Sequence, residues 1–227
     1  MIKIAVVISG CGFLDGAEIF ETIFTLLELD KHDASVKIFA PNQKQHCVIN
    51  HLTGQAMTQE RNILVESARI ARGKIYPLSK LDVTNFNALI LPGGAGVATS
   101  LSDLAFKNEN AMVIDDLKSI IVQFYKSLKP IGAICIAPAI LALALKEYTK
   151  VKITLGASNP LINKIGALEE TCKANSIVVD HDNKLVTTPA FMSNAPLTKI
   201  HHGISNLVAK VIEMSCKLAI GSFVLSV

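Results

Sequence analysis

Short, β-branched apolar runs alternate with longer stretches of helical periodicity along this chain, and that alternation restricts the fold more than any other feature. The runs Ile2–Ile8, Ser35–Ala40, Ala88–Leu91, Ile131–Ile134, Val151–Leu155, Ile177–Val179 and Lys184–Thr187 read as strands. Between and after them, Ala17–Leu29, Thr58–Ala71, Ala111–Leu128, Ile136–Lys146 and Leu197–Ile220 read as helices. Continuously apolar strands are buried on both faces, and strands separated by helices pair in parallel through right-handed crossovers. The expected fold is α/β: a doubly wound, mostly parallel sheet flanked by helices, forming one domain over residues 1–227.

Composition agrees with buried parallel strands: half of the residues are hydrophobic, 18% are charged, and there is no Trp. No apolar run of about 18 residues lacks a charge or a breaker, which argues against a membrane span. A net charge of +3 with dispersed basic residues gives no footprint for nucleic acid. The five cysteines (11, 47, 135, 172 and 216) are odd in number and form no CxxC pair. They therefore suit neither a disulfide framework nor a metal centre. The first strand begins at once, with no signal-peptide pattern or Arg-rich transit segment before it, so the expected location is the reducing cytoplasm. Pro160 and Pro196 sit where helices should start. Ile204, Leu207, Val208, Val211 and Ile212 form an amphipathic stripe that packs on the sheet or serves a dimer. Gln45–Gln55 carries a short extended piece, Cys47–His51, and Ser100–Asn110 is a polar connection.

In an open parallel sheet, ligands bind beyond the carboxyl ends of the strands. Three unusual loops leave the sheet there: Ser9–Gly16, then a helix with Glu18 and Glu21; Pro92–Gly96; and Cys135–Ala139. Cys135 stands between an apolar strand and a helix, the strand–nucleophile–helix arrangement that aims a side chain outward and lends a thiolate the helix's partial positive charge. The same residue read alone is equally a small apolar core cysteine. Gly93 and Gly94 let backbone amides approach a ligand, and one of them could join the Ile136 amide in an oxyanion hole. Read alone, the glycines make a tight turn, and no P-loop Lys follows them. Glu18 and Glu21 share a helix face. Acidic residues in a first turn ordinarily complement the helix dipole, but a carboxyl beside a cysteine can hold its proton and donate to the thiolate, lowering the thiol pKa. His51 is the one histidine whose loop could reach this edge, against a more ordinary surface role. His201 and His202 read as helix surface, and His181-Asp182-Asn183 as a hairpin turn.

Together, Gly16-Ala17-Glu18-Ile19-Phe20-Glu21-Thr22, Leu91-Pro92-Gly93-Gly94 and Ile134-Cys135-Ile136-Ala137-Pro138 resemble the DJ-1/PfpI superfamily, with its flavodoxin-like, class I glutamine-amidotransferase-like fold. Ser9-Gly10-Cys11-Gly12, Val48–Gly54 leading to Arg61-Asn62, and Thr187-Thr188-Pro189-Ala190 resemble its branch known as the enhancing-lycopene-biosynthesis or isoprenoid-biosynthesis protein with an amidotransferase-like domain. The resemblance runs from residue 2 to about residue 215. It implies that Cys135 is the elbow cysteine, Glu21 the carboxyl bonded to it, and Glu18 a residue of the same pocket. It also implies that the amides of Gly94 and Ile136 face the substrate oxygen. Ile136 stands where protease-type members carry a histidine base, which argues against glutaminase and protease activity.

The resemblance further implies a glutathione-independent glyoxalase, converting small 2-oxoaldehydes to hydroxy acids without a cofactor, in a homodimer. The alternatives are a noncatalytic redox or stress-sensing protein, an accessory factor in isoprenoid biosynthesis, or an amidotransferase subunit.

Overall fold

The structure, a computed structural model, describes the backbone of residues 1–224 and the side chains of residues 1–216. Seven strands form one sheet in the order β3-β2-β1-β4-β5-β9-β8. They are β1 (Lys3–Val7), β2 (Ser35–Ala40), β3 (Ile75–Pro77), β4 (Ala88–Leu91), β5 (Ile131–Ile134), β8 (Val178–Asp180) and β9 (Leu185–Thr188). All neighbours in this sheet pair in parallel except β8 with β9. This is the flavodoxin-like, class I amidotransferase-like fold. Side chains alternate between two cores: Ile4, Val6 and Ile8 face one layer, Ala5 and Val7 the other, and all are fully buried. Burial on both sides is why these strands read as unbroken apolar runs.

The first layer holds α1 (Ile19–Lys31), α2 (Ile63–Ile70) and α8 (Leu197–Val224); the second holds α3 (Ala95–Thr99), α5 (Asp115–Lys126) and α6 (Ala137–Leu145). Ile204, Leu207, Val208 and Val211 are buried, and a Cβ on Gly132 of β5 would stand 2.8 Å from Leu207 Cδ2. The stripe on α8 therefore packs on the sheet. His201 is not plain helix surface: its Nε2 lies 2.7 Å from Oε1 of Glu28, a buried residue of α1 that Lys31 and Ser205 also donate to.

Val151–Leu155 is not a strand of the main sheet. Its core, β6 (Lys152–Ile153), pairs with β7 (Leu168–Glu169) in a separate ribbon. It is tied to the sheet by side chains, with the Lys152 amide donating to Asp180 Oδ2 (2.7 Å) and the Thr154 amide to Thr187 Oγ1 (3.2 Å). The helix expected from Thr58 begins only at Ile63, because Asn62 caps it by accepting from the Val65 amide, the Arg61 carbonyl accepts from the Gln45 amide and the Ile63 amide donates to Gln43 O. The helix expected from Ala111 starts at Asp115, since Val113 bridges Ser102. Ser100–Asn110 contains a short helix, α4 (Leu104–Lys107), and Pro160 opens α7 (Pro160–Lys164). His181-Asp182-Asn183 forms the β8–β9 hairpin, its Asn183 amide donating to Asp180 Oδ1.

Strand β1 lies between β2 and β4, so the chain leaves it in one direction and later resumes on the other side. A crevice opens at such a switch point beyond the strand ends.

Candidate active site

Three loops meet in this crevice, and glycines let their backbones interlock. A Cβ on Gly94 (φ +103°) would come within 2.3 Å of Gly16 O, one on Gly16 within 2.5 Å of the Cys11 amide nitrogen, and one on Gly96 within 2.7 Å of Ser9 O. Amides stitch the same loops together: Gly96 donates to Gly16 O (2.9 Å), Ala95 to Phe13 O (2.8 Å) and Glu18 to Gly93 O (2.9 Å).

Cys135 stands at the turn from β5 into α6 with φ +63°, in the left-handed region where a side chain is strained. Its amide donates to Thr188 O at 3.0 Å. Only 8% of the residue is exposed. Three groups meet its sulfur: the Gly94 amide, the Ile136 amide and the Glu21 carboxyl. Gly93 makes this convergence possible, because a Cβ there would stand 2.5 Å from Cys135 Cβ and 2.7 Å from Glu21 Oε2.

Glu21 is fully buried. Its Oε2 accepts from the Gly93 amide at 2.8 Å, and its Oε1 from the Phe191 amide at 3.4 Å. Burial, reinforced by the neighbouring Glu18 charge and opposed by hydrogen bonds from Gly93, Cys135 and Phe191, raises its pKa to about 8. A carboxyl with this pKa is mostly protonated at neutral pH and ionises just above it. Glu18 is not simply a second residue on the same helical face: it caps α1 from outside, its Oε2 accepting from the Glu21 amide at 2.6 Å. Burial raises its pKa too, against the pull of the Glu21 and Phe20 amides.

The lowered thiol pKa expected for Cys135 does not survive. Burial, then the Glu21 charge and hydrogen bond, push it well above its ordinary value, and the Gly94 and Ile136 amides only partly offset this. The helix terminus and amides were legible in the sequence; the depth of burial was not. Both Glu21 contributions belong to an ionised carboxyl, so the two groups share their protons and titrate as a pair.

His51 is not a base for this pair. Its Nδ1–H donates to Ile49 O (3.0 Å) and its Nε2 accepts from the Leu14 amide (3.3 Å), so both ring nitrogens are occupied. Its ring also stacks edgewise on Phe13 at 5.4 Å. With buried Asp15, whose Oδ2 accepts from the Ile49 amide (2.7 Å), it pins the short extended piece around Cys47–His51 over the loop after β1. Among the described residues no cluster of three or more His, Cys, Asp or Glu is placed to hold a metal, and no helix is long and apolar enough to cross a membrane.

Sequence reasoning missed Phe13 and Phe191. With Phe20 and Glu18 they line an apolar cavity of about 390 Å³ beside the pair. Phe191 sits in a 3₁₀ turn directly after Thr188-Pro189. The parallel pairing of β9 with β5 was the signal that could have placed that turn against Cys135.

The model of the DJ-1/PfpI family matches residues 5–193, from the first strand through this turn. The chain belongs to the DJ-1/PfpI family. It is 40% identical over 228 residues to human glutamine amidotransferase-like class 1 domain-containing protein 3, mitochondrial, covering 95% of this chain and 84% of that protein. It is 32% identical over 237 residues to the Danio rerio ES1 protein, mitochondrial, covering 95% and 87%. The crystal structure of an isoprenoid biosynthesis protein with amidotransferase-like domain from Ehrlichia chaffeensis is 39% identical, with a TM-score of 0.91 over 94% of this chain and 99% of that one. The family and branch resemblance drawn from the motifs is thereby established.

The cytoplasmic location expected from the sequence is overturned, since both of these family relatives are mitochondrial proteins. Free cysteines suit any reducing compartment and never singled out the cytoplasm.

Proposed function

We propose that this family member is a cysteine-dependent, cofactor-free enzyme that converts glyoxal-type 2-oxoaldehydes to 2-hydroxy acids. The observation that carries the reading is the pair itself: a fully buried carboxyl with a pKa of about 8, bonded to a cysteine held in a left-handed turn. A carboxyl that titrates near neutrality is suited to move protons in both directions.

In its ionised form Glu21 takes the thiol proton as the Cys135 sulfur bonds to the aldehyde carbon, and passes that proton to the carbonyl oxygen as the carbonyl π bond breaks. The hydrogen on that carbon then leaves as a proton to Glu21 and returns to the adjacent ketone carbon, while the proton of the new hydroxyl group passes to the ketone oxygen. The aldehyde carbon is oxidised and the ketone carbon reduced, so no external redox partner is required. The product is a 2-hydroxyacyl thioester. Water cleaves its S–C bond, releasing the hydroxy acid and restoring the thiol. The Gly94 and Ile136 amides, directed at the sulfur, are suited to the oxyanion formed in that last step. Addition to an aldehyde needs no leaving group, which matches a site whose one nearby histidine is occupied elsewhere.

A purely redox-sensing cysteine fits less well, because burial opposes thiolate formation. The test is hydroxy-acid formation from glyoxal by the purified protein and by its Cys135→Ala variant. Turnover that depends on Cys135 is expected; no turnover, or equal turnover in the variant, overturns the reading.

A further inference from the structure

The cavity beside the Cys135–Glu21 pair is larger and more apolar than glyoxal alone requires. Its volume of about 390 Å³ falls in the range of sites that hold much bigger ligands. Three phenylalanines line it, and the Phe20 and Phe191 rings face each other at 6.3 Å with a 45° tilt. These rings stand partly in solvent, with Phe13 54%, Phe20 50% and Phe191 39% exposed. The cavity adjoins the chemistry on two sides. The Phe191 amide donates to Glu21, and the Phe13 carbonyl accepts from Ala95, the residue after the amide that faces the sulfur. The one polar wall is Glu18, whose carboxyl is held by the Glu21 amide. A carboxylate there disfavours an anionic occupant.

Resting on the function proposed above, we propose that this cavity seats the R group of a substrate R–CO–CHO, and that R is a neutral aromatic or bulky apolar group. Flat rings are the natural occupant, because aromatic faces and edges pack on one another at the ring spacing seen here. The reaction is unchanged: an aryl 2-oxoaldehyde plus water gives the aryl 2-hydroxy acid. Phe20 is then a specificity-determining residue.

The experiment compares kcat/KM for phenylglyoxal and methylglyoxal in the parent and in Phe20→Ala and Phe20→Leu. Burying a ring predicts a parent preference for phenylglyoxal on the order of 10–100-fold, expressed mainly in KM. The preference should shrink toward one in Phe20→Ala and be partly kept in Phe20→Leu. Equal kcat/KM in the parent, or a preference that survives Phe20→Ala, overturns the inference. A second arm needs no turnover: acetophenone, which lacks the aldehyde, should slow iodoacetamide labelling of Cys135, whereas acetone at equal concentration should not. If neither aldehyde is consumed, the function proposed above has failed, and this arm decides the cavity on its own. Protection that is lost in Phe20→Ala supports an aryl-binding cavity, and absence of protection overturns it.

Discussion

Replacing Glu21 by glutamine removes an ionisable group from the interior while keeping an oxygen to accept from the Gly93 amide. The folded carboxyl ionises at about 8, against an ordinary value of 4.5. A carboxyl whose pKa is raised by folding contributes its full stability below pH 4.5 and loses it as pH climbs toward 8, because only the unfolded chain can release the proton cheaply. At pH 7 the distance from 4.5 corresponds to about 3 kcal/mol, and above pH 9 the loss reaches about 5 kcal/mol. Glu21→Gln escapes this loss. The parent and variant should therefore unfold at their most similar temperatures near pH 4.5 and diverge above it, the variant becoming the more stable. For a chain of this size the gap in Tm should widen by on the order of 6–12 °C between pH 4.5 and pH 7. Thermal unfolding of both proteins across that range measures it. Parallel Tm curves would mean that Glu21 is ionised in the folded protein at neutral pH, and the shared-proton account of the site would fall with them. The variant should also lose turnover, since an amide cannot carry the proton.

Three further outcomes are expected. Gly93→Ala should lower stability by about 1–3 kcal/mol and disrupt turnover, because the added methyl group overlaps Cys135 and Glu21; an unchanged Tm with full activity would refute the packing argument. Burial pushes Glu28 up, but bonds from Lys31, Ser205 and His201 outweigh it and hold its pKa below the ordinary value. The stability this gives is present above pH 4.5 and lost as pH falls through the folded pKa. His201→Ala should accordingly cost about 0.5–1 kcal/mol at pH 6 and progressively less below pH 4 in chemical denaturation, and a pH-independent cost would contradict this. Ile19, Ile23 and Leu27 are more than 40% exposed along α1, and we propose that a second copy covers them. Light scattering at micromolar concentration should give about twice 24.4 kDa, and a monomer mass would refute the dimer.

The sheet was legible because its central strands are buried on both faces: β1, β4 and β5 appear as apolar runs within a residue or two of their ends. Where the signal was weak, the reading failed for a physical reason. Strand β3 is three residues ending in a proline, too short for a pattern, and Val151–Leu155 looked like a main-sheet strand because it is mostly apolar, although its ladder is with β7 and side chains tie it to the main sheet. Helix starts at Asn62 and Ile114 were misplaced because β-bridges to segments earlier in the chain outcompeted continued helical periodicity. Cys135, Glu21, Gly93 and Gly94 could be brought together because their loops leave the carboxyl ends of parallel strands and their motifs resemble the family's. The electrostatics could not: whether a carboxyl beside a thiol is solvated or sealed depends on Gly93, Phe191 and the packing of α1, which no local sequence pattern records. The aromatic wall was hidden for the same reason, since Phe191 reaches Phe13 and Phe20 from a segment some 170 residues further along the chain.

The interlocked glycines have a consequence for how such a protein can diverge. Because Gly16, Gly94 and Gly96 meet other loops through backbone atoms, a change of loop shape at one of them must be matched at the others, so single substitutions there are closed routes. Phe13, Phe20 and Phe191 are less constrained, since their rings line the cavity and are partly exposed rather than wedged between backbones. Descendants of this sequence should thus hold one reaction nearly fixed while exchanging what it acts on, one aromatic position at a time.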